Sequence, residues 1–215
     1  MTDDNLARER EHEKQRRVLI LTGGDDAPGL NAVLRAFVKT ATDLDMRVYG
    51  SEDGFAGLIT EPPRIVRLTP ASVQGILPRG GSVLGCSNQA NPFAYPSTGP
   101  DGATRAIDVS ENVKAVLEER EIDILVLVGG DGTLDIGMRF EKMGVPGVGV
   151  PKAIDTDLAA TDLAFGLYTA VATATNAIDA LHSSGEAHDR VMVLEVMGKQ
   201  AGWIALMSGI AGGAD

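Results

Sequence analysis

The sequence is poor in several features that mark particular classes of protein. It has one cysteine, Cys86, which excludes an internal disulfide framework and a multi-cysteine zinc site. Basic residues are scarce, since 19 Lys and Arg face 30 Asp and Glu for a formal net charge of −11. That balance disfavours nucleic acid and anionic lipid as partners. No apolar stretch approaches the roughly 20 residues that span a bilayer, so we expect no membrane partner.

The first 17 residues also lack something, namely the apolar core of a secretory signal peptide. They form a mixed-charge extension, to which we assign no function. Together with the single cysteine, this predicts a reducing, cytoplasmic location. The full chain of 215 residues is 44% hydrophobic, which suffices for one sizeable α/β domain or two small ones.

Short β-branched and aliphatic runs alternate with helical patterns, which predicts an α/β fold with a parallel sheet and flanking helices. Predicted strands cover residues 18–21, 47–50, 65–68, 122–128, 145–150 and 191–196. Predicted helices run from an N-cap at Asp26 to about residue 41, over 71–77, from an N-cap at Asp101 through an apolar stripe ending at Leu117, and over 134–143 and 168–182. Residues 78–102 are rich in Gly, Pro, Ser and Asn, and predict a long loop that forms or covers a site.

Three loops carry the residues with chemical meaning, and each directly follows an aliphatic run. The first loop is residues 23–29 (GGDDAPG), the second is 129–133 (GGDGT) and the third is 151–157 (PKAIDTD). Loops at the carboxyl ends of parallel strands converge on one crevice, so these segments are expected to meet at a common ligand. Glycines let backbone N–H groups approach phosphate oxygens, and a following helix N-terminus favours negative charge. The pattern predicts a phosphoryl-transfer site.

The second loop also offers a metal ligand. Asp131 supplies a hard carboxylate oxygen of the kind that Mg²⁺ prefers, and an acidic chain needs a cation to hold phosphorylated ligands. A dinucleotide-binding G-x-G-x-x-G reading fails, because Asp135 stands where the third glycine belongs. A Walker A sequence is also missing. We therefore predict a Mg²⁺ site at Asp131.

The three loops in this order, followed by residues 195–198 (EVMG), resemble the 6-phosphofructokinase family from about Val18 to Asp215. The resemblance implies a Rossmann-like phosphofructokinase fold and transfer of a phosphoryl group from ATP to fructose 6-phosphate with Mg²⁺, in a homo-oligomer, either dimer or tetramer. It implies a nucleotide- and metal-binding lobe over 18–152 and part of a sugar-phosphate lobe over 153–215. Family chains continue beyond the position of Asp215, so we expect a fragment or shortened chain lacking the C-terminal part of that fold.

The same resemblance implies roles for individual residues. Asp155 would be the base that takes the proton from the sugar 1-hydroxyl, Asp157 would help to position the metal, and Lys152 would assist catalysis. Residues implied to bind the nucleotide or its phosphates are Gly24, Asp25, Phe55, Asn88, Gly130, Asp131, Gly132 and Thr133. Residues implied to bind the sugar phosphate are Ala153, Asp155, Arg190, Met197, Gly198 and Lys199, with Arg190 reaching a neighbouring subunit's substrate.

The chain departs from the family pattern near the reacting groups. Asp25 stands where the family has its second glycine and adds negative charge beside an expected polyphosphate. Asn88 replaces an arginine that bridges the transferring phosphate, while Ala153 and Thr156 replace a threonine and an asparagine. We hypothesise that Lys152 partly substitutes for the missing arginine.

The phosphoryl donor is not fixed by these residues. Gly132 favours ATP, because pyrophosphate-dependent members tend to have Asp there, whereas Lys152 is typical of pyrophosphate users and of some ATP-dependent branches. A pyrophosphate-dependent enzyme is therefore one alternative. A noncatalytic nucleotide-binding or structural remnant is another, favoured by the departures from the family pattern. An NAD- or lipid-kinase-like enzyme rests on the second loop alone.

Overall fold

The computed structural model describes residues 15–155, 158, 161–198 and 201–215. A six-stranded sheet lies at its centre in the order β3-β2-β1-β6-β7-β8, and β4 and β5 form a separate hairpin. The strands are β1 Arg17–Thr22, β2 Arg47–Ser51, β3 Ile65–Leu68, β4 Tyr95–Thr98, β5 Thr104–Ile107, β6 Ile124–Gly129, β7 Gly147–Ala153 and β8 Phe165–Gly166. Neighbours in the large sheet are parallel except β2 and β3.

Helices flank this sheet, as the alternating pattern predicted. They are α1 Leu30–Asp43, α2 Ala56–Ile59, α3 Ser110–Glu119, α4 Asp131–Lys142, α5 Leu167–His188 and α6 Trp203–Gly212. The predicted Rossmann-like α/β architecture is thus confirmed. Within the described residues, no helix is both long and apolar enough to cross a bilayer.

The central strands are apolar throughout because both faces of the sheet are covered. Side chains alternate along a strand, so Val18 and Ile20 of β1 pack with α1 on one face. Leu19 and Leu21 pack with α3 and α4 on the other face. Burial on both faces explains the uninterrupted aliphatic runs by which β1 and β6 were predicted.

The predicted N-cap at Asp26 is wrong. Helix α1 begins at Leu30, and its N-cap is Gly29 in a left-handed conformation with φ 101°. A Cβ atom at Gly29 would lie 2.9 Å from the Phe165 ring, so a close approach from β8 requires glycine there. Asp26 instead stays exposed in the first loop.

The helix predicted over 71–77 is also wrong, since residues 70–75 form successive turns. Gly75 adopts φ 74°, which ends any helical run within a segment already too short to hold a helix by itself. Val73 and Ile76 are nevertheless fully or almost fully buried against the core. The apolar residues of this segment therefore indicated that it is buried, not that it is helical.

Asp101 does not cap a helix. It lies in the turn of the β4–β5 hairpin, where its carboxylate accepts from the Ala103 N–H at 3.1 Å and pairs with Arg105 at 2.5 Å. Helix α3 starts later, where Asp108 accepts hydrogen bonds from the backbone N–H and hydroxyl of Ser110 at 2.9 and 2.6 Å. These hydrogen bonds lower the pKa of the exposed Asp108 carboxyl.

The strand predicted over 191–196 is not formed. The segment has no regular secondary structure, although its exposure alternates, with Val191 and Val193 at 93% and 87% and Met192 and Leu194 at 42% and 37%. The less exposed side faces α5 and α6, since a Cβ atom at Gly185 would lie 3.1 Å from Met192 Cγ. A strand needs a neighbouring backbone, and the part of the chain that the structure describes places none beside this segment.

Phe140 anchors the face of the sheet that carries α3 and α4. It is 1% exposed, and its ring centroid lies 5.7 Å from that of Phe55 and 5.1 Å from that of Phe93. Phe140→Ala should lower the free energy of unfolding by about 3–5 kcal/mol through the lost burial and the cavity left behind. Urea denaturation measures this.

Met138→Ala on the same helix is the matched control, because Met138 is 55% exposed. We expect it to change stability by no more than about 0.5 kcal/mol. Equal losses in both variants would contradict the central packing role of Phe140.

Candidate active site

The carboxyl ends of β1, β6 and β7 open onto one cleft of about 470 Å³. All three loops meet there, and Asp131 and Asp155 both line it. The lining residues are Gly23, Gly24, Asp25, Asp26, Ala27, Phe55, Ser87, Asn88, Ala90, Asn91, Gly130, Asp131, Gly132, Thr133, Ile136, Lys152, Ala153, Ile154, Asp155, Met197 and Gly198.

Most of the residues singled out in the sequence are therefore neighbours in space. Every residue expected to contact the nucleotide lines the cleft, as do Lys152, Ala153, Asp155, Met197 and Gly198. Arg190 does not, since it lines a separate groove beside α5 and α6. Asp157, Thr156 and Lys199 lie outside the described residues.

Sequence reasoning missed several lining residues. Ser87 and Asn91 come from the long loop, which was expected to form or cover a site without these positions being named. Asp26 was interpreted as a helix cap. Ile136 reaches the cleft from an apolar position of α4 that carries no chemical signal, so sequence alone offered no means of selecting it. Ile154 belongs to the third loop, but no role was predicted for it.

The second loop presents the N-terminus of α4 to the cleft. Gly130 is the N-cap, and Asp131 stands in the first turn, where a carboxylate is stabilised by the helix dipole. The backbone N–H groups of a first helical turn have no partner within the helix. This end of α4 is thus suited to an anionic ligand.

Thr133 packs tightly on the glycines that end two central strands. It is 7% exposed, and a Cβ atom at Gly129 would lie 2.5 Å from its Oγ1. A Cβ atom at Gly23 would also overlap the Thr133 side chain. Glycine at both positions therefore allows α4 to sit close to the carboxyl ends of β1 and β6.

Lys152 contributes a positive charge to the cleft. It is the one Lys or Arg among the lining residues that the structure describes. Its side chain is 5% exposed, and its ammonium donates a hydrogen bond to the backbone carbonyl of Asp25. Burial lowers the pKa of Lys152, while the nearby Cys86, Asp25 and Asp26 act in the opposite direction.

Cys86 lies beside this lysine and is half-buried. Burial raises the pKa of the Cys86 thiol, and a hydrogen bond with Thr22 and the Lys152 charge partly offset that rise. The thiol is therefore not activated as a nucleophile.

Buried polar side chains fasten the long loop to the sheet. Asn31 on α1 is 1% exposed and donates to the carbonyls of Arg79 and Gly80 at 3.0 and 3.1 Å, while accepting from the Val83 N–H at 2.8 Å. Thr22 donates to the Gly85 carbonyl at 2.5 Å. These bonds hold the part of the loop that leads to Asn88.

Phe55 is both a core residue and a wall of the cleft. It is 3% exposed and stacks on Phe140, and one part of it reaches the cleft lining. Phe55 can therefore pack in the core and still contact a nucleotide in the cleft.

The described residues contain no group of three or more His, Cys, Asp or Glu that could hold a metal ion. Mg²⁺, however, is commonly bound through one or two carboxylates together with substrate phosphates and water. Asp131 and Asp155 line one cleft together with the N-terminus of α4. The donor set fits a Mg²⁺ ion that arrives with a phosphorylated ligand rather than one held by protein alone.

A family model described as phosphofructokinase matches residues 17–215. The chain belongs to the phosphofructokinase family. It is 49% identical over 205 residues to an ATP-dependent 6-phosphofructokinase of Chloroflexus aggregans, covering 94% of this chain and 55% of that protein. It is also 47% identical over 201 residues to a pyrophosphate–fructose 6-phosphate 1-phosphotransferase of Streptomyces coelicolor, covering 93% and 55%.

Solved structures show the same likeness. The phosphofructokinase from Saccharomyces cerevisiae aligns with a TM-score of 0.76 at 28% identity, covering 94% of this chain and 28% of that chain. A pyrophosphate-dependent phosphofructokinase from Marinobacter aquaeolei shares the fold with a TM-score of 0.72. The chain spans about 55% of the length of the curated relatives named above.

The packing of Thr133 predicts different effects at two adjacent glycines. Gly129→Ala should destabilise the fold by about 1–3 kcal/mol, because its Cβ overlaps Thr133. Gly130→Ala should cost less than about 1 kcal/mol, because the nearest atom to its Cβ is the Lys152 carbonyl oxygen at an ordinary 3.6 Å. Thermal and urea unfolding compare the two variants, and equal costs would contradict this account of the second loop.

Proposed function

We propose that the protein is a glycolytic kinase that transfers the γ-phosphoryl group of ATP to the 1-hydroxyl of fructose 6-phosphate in this cleft. The observation that carries this proposal is the common location of Asp131 and Asp155 beside glycine-rich loops at the ends of three parallel strands. Phosphoryl transfer depends mainly on positioning and neutralising charge, which such an arrangement supplies.

The phosphates of the donor would bind to backbone amides of the first loop and of the α4 N-terminus. Gly24, with φ 77°, and Gly130 allow a close approach of the ligand. Asp131 would hold Mg²⁺, which when bound neutralises the charge of the phosphate oxygens. Phe55 would contact the nucleotide from the wall of the cleft.

Asp155 would act as the base at the acceptor side. It is partly exposed within the cleft, and a Cβ atom at Gly198 would lie 3.9 Å from its Oδ1. Glycine at 198 thus leaves space beside the carboxylate, where Met197, Gly198 and Ala153 would contact the sugar. Asp157 would help to position the metal, and Lys199 would bind the sugar phosphate.

ATP is the favoured donor. A Cβ atom at Gly132 would meet no atom within 4 Å, so this position leaves room for a nucleotide. Pyrophosphate is the second candidate, favoured by the buried Lys152 and by the likeness to the Streptomyces coelicolor phosphotransferase.

We further propose that the chain works as a homo-oligomer in the cytoplasm, with residues 18–152 binding nucleotide and metal and 153–215 belonging to the sugar-phosphate lobe. Arg190 supports an oligomer because it lies outside its own cleft, in the groove beside α5 and α6. It would reach the substrate of a neighbouring subunit.

The role of Asp155 predicts a loss of turnover without a loss of folding. Asp155→Asn should reduce kcat by about 10²–10⁴-fold, because the amide cannot accept the proton of the sugar hydroxyl. The measurement is steady-state formation of fructose 1,6-bisphosphate from fructose 6-phosphate and MgATP.

Asp162→Asn is the matched control, because Asp162 is an exposed aspartate outside the cleft. Unchanged turnover in Asp155→Asn would contradict its assignment as base. Binding of MgATP by the unaltered chain without any sugar phosphorylation would instead select the noncatalytic remnant.

Gly132 provides a test of the donor. Gly132→Asp should weaken ATP binding by at least about tenfold, since the charge and bulk of a carboxylate there would exclude the α-phosphate of the nucleotide, and should affect pyrophosphate less because it has no α-phosphate. Gly132→Ala separates the effect of charge from that of a Cβ atom alone. Calorimetric titration gives both affinities, and parallel losses for ATP and pyrophosphate would contradict a donor-selecting role.

A further inference from the structure

One part of the cleft wall is apolar. Phe55, Ala90 and Ile136 all line the cleft and pack in the same hydrophobic cluster, with exposures of 3, 8 and 9%. We call these three residues the apolar corner. Apolar side chains offer nothing to a phosphate group, whereas they suit the flat face of an aromatic ring. The apolar corner is therefore suited to a different part of a ligand from the glycine-rich loops.

Helix α4 connects the apolar corner to the place where phosphates are expected. Asp131 is the first residue of α4, and Ile136 stands one turn and a half further along the same helix. At the rise of an α-helix, this separation is about 7.5 Å along the axis. A nucleotide whose phosphates bind at the N-terminus of α4 would extend its nucleoside over a distance of that order. The base would then reach the apolar corner.

Asn91 adds a polar group beside the apolar corner. It follows Ala90 in the chain, lines the cleft and is partly buried. Its Oδ1 accepts a hydrogen bond from the Phe93 N–H at 3.0 Å. A backbone N–H needs an acceptor, so this bond identifies the oxygen of the amide and leaves Nδ2 for other groups. Among the described residues, Nδ2 donates to no protein acceptor, so its two N–H donors are available to a ligand.

The chain on both sides of this amide is fastened to the core. The guanidinium carbon of Arg139 lies 3.6 Å from the centroid of the Phe93 ring, and that ring also packs on Phe140 with the centroids 5.1 Å apart. The Pro92 carbonyl accepts a hydrogen bond from the Val109 N–H at 2.7 Å. The amide is thus held in place before any ligand arrives, which lowers the entropic cost of binding.

We propose that Asn91 is a specificity-determining residue, which donates a hydrogen bond from Nδ2 to an acceptor atom of the nucleobase while the base packs on the apolar corner. This inference rests on the proposed function, because it concerns the base of the same phosphoryl donor. Pyrophosphate has no base and makes neither contact. Asn91 and the apolar corner therefore favour a nucleotide over pyrophosphate.

The bond between Asn91 and Phe93 also determines which atoms of a base are accepted. Because Oδ1 is already paired, the amide presents N–H donors alone to the cleft. The ring nitrogens of adenine that carry no proton are acceptors and satisfy such a donor. A base that presents an N–H at the same point leaves two donors facing each other in a partly buried site, which weakens binding.

The test compares three ligands by calorimetric titration of the full chain with Mg²⁺: ATP, ribose 5-triphosphate and inorganic tripolyphosphate. The second lacks the base, and the third lacks the whole nucleoside. The variant is Asn91→Ser, whose hydroxyl can still accept from the Phe93 N–H but which has no Nδ2. Asn91→Ser should weaken ATP binding by about 3–10-fold through the lost hydrogen bond, and should change the other two affinities by less than about twofold.

Asn112→Ala is the matched control, because Asn112 is an exposed asparagine of α3 outside the cleft. It should leave all three affinities unchanged. Asn91→Ala removes the acceptor for the Phe93 N–H together with the donor, so it should weaken ATP binding at least as much as Asn91→Ser. Circular dichroism confirms that each variant is folded.

Unchanged ATP affinity in Asn91→Ser overturns this proposal. An equal loss for ribose 5-triphosphate assigns the contact to the ribose, and an equal loss for tripolyphosphate assigns it to the phosphates, so either result overturns it as well. Unaltered chain that binds ATP no more tightly than tripolyphosphate has a phosphate site without a base contact, which also refutes the role of Asn91. Failure to bind any of the three ligands refutes the proposed function and this inference together. The titrations need no sugar substrate, so ATP binding without turnover still decides the role of Asn91.

Discussion

The parallel pairing of β1, β6 and β7 is the constraint on which the rest of the structure depends. Thr22 is in register with Val128, and Gly129 with Pro151, so three strands end at one edge of the sheet. Burial on both faces of the sheet stabilises this pairing, because a slip by one residue would turn every core side chain to the wrong face. The cleft is a direct consequence, since the loops that leave those strands have to meet.

Hydrogen bonds from buried side chains position the long loop that forms one wall of the cleft. Residues 79–88 are irregular, and their carbonyl and N–H groups would be costly to bury without partners. Asn31 and Thr22 satisfy several of these groups from α1 and β1. A loop without regular secondary structure is thereby held firmly enough to place Asn88 and Ser87 beside the first loop.

The membership in the phosphofructokinase family agrees with this architecture, and the charges that line the cleft decide what it can bind. Among the lining residues that the structure describes, four carboxylates face one buried lysine, and the backbone carbonyl of Asp25 accepts a hydrogen bond from that lysine. An anionic ligand then depends on a cation, on helix α4 and on backbone amides. Asp25 and Asn88, the two residues that differ from the expected family pattern in these loops, form a hydrogen bond with each other.

Sequence patterns alone determined the parallel α/β class, the central strands and the three loops, because burial of both sheet faces leaves long aliphatic runs that end in glycine. They also selected most of the cleft residues. The tertiary structure decided the rest. Four predictions were wrong: the helix over 71–77, the helix caps at Asp26 and Asp101, and the strand over 191–196. Local sequence patterns indicate burial and turn preference, but they do not show which distant segment will pack against or pair with a residue. Asn31 and the anchoring of Lys152 by the Asp25 carbonyl depend on groups about 50 and 127 residues apart, and contacts at such separations exist only once the sheet has formed.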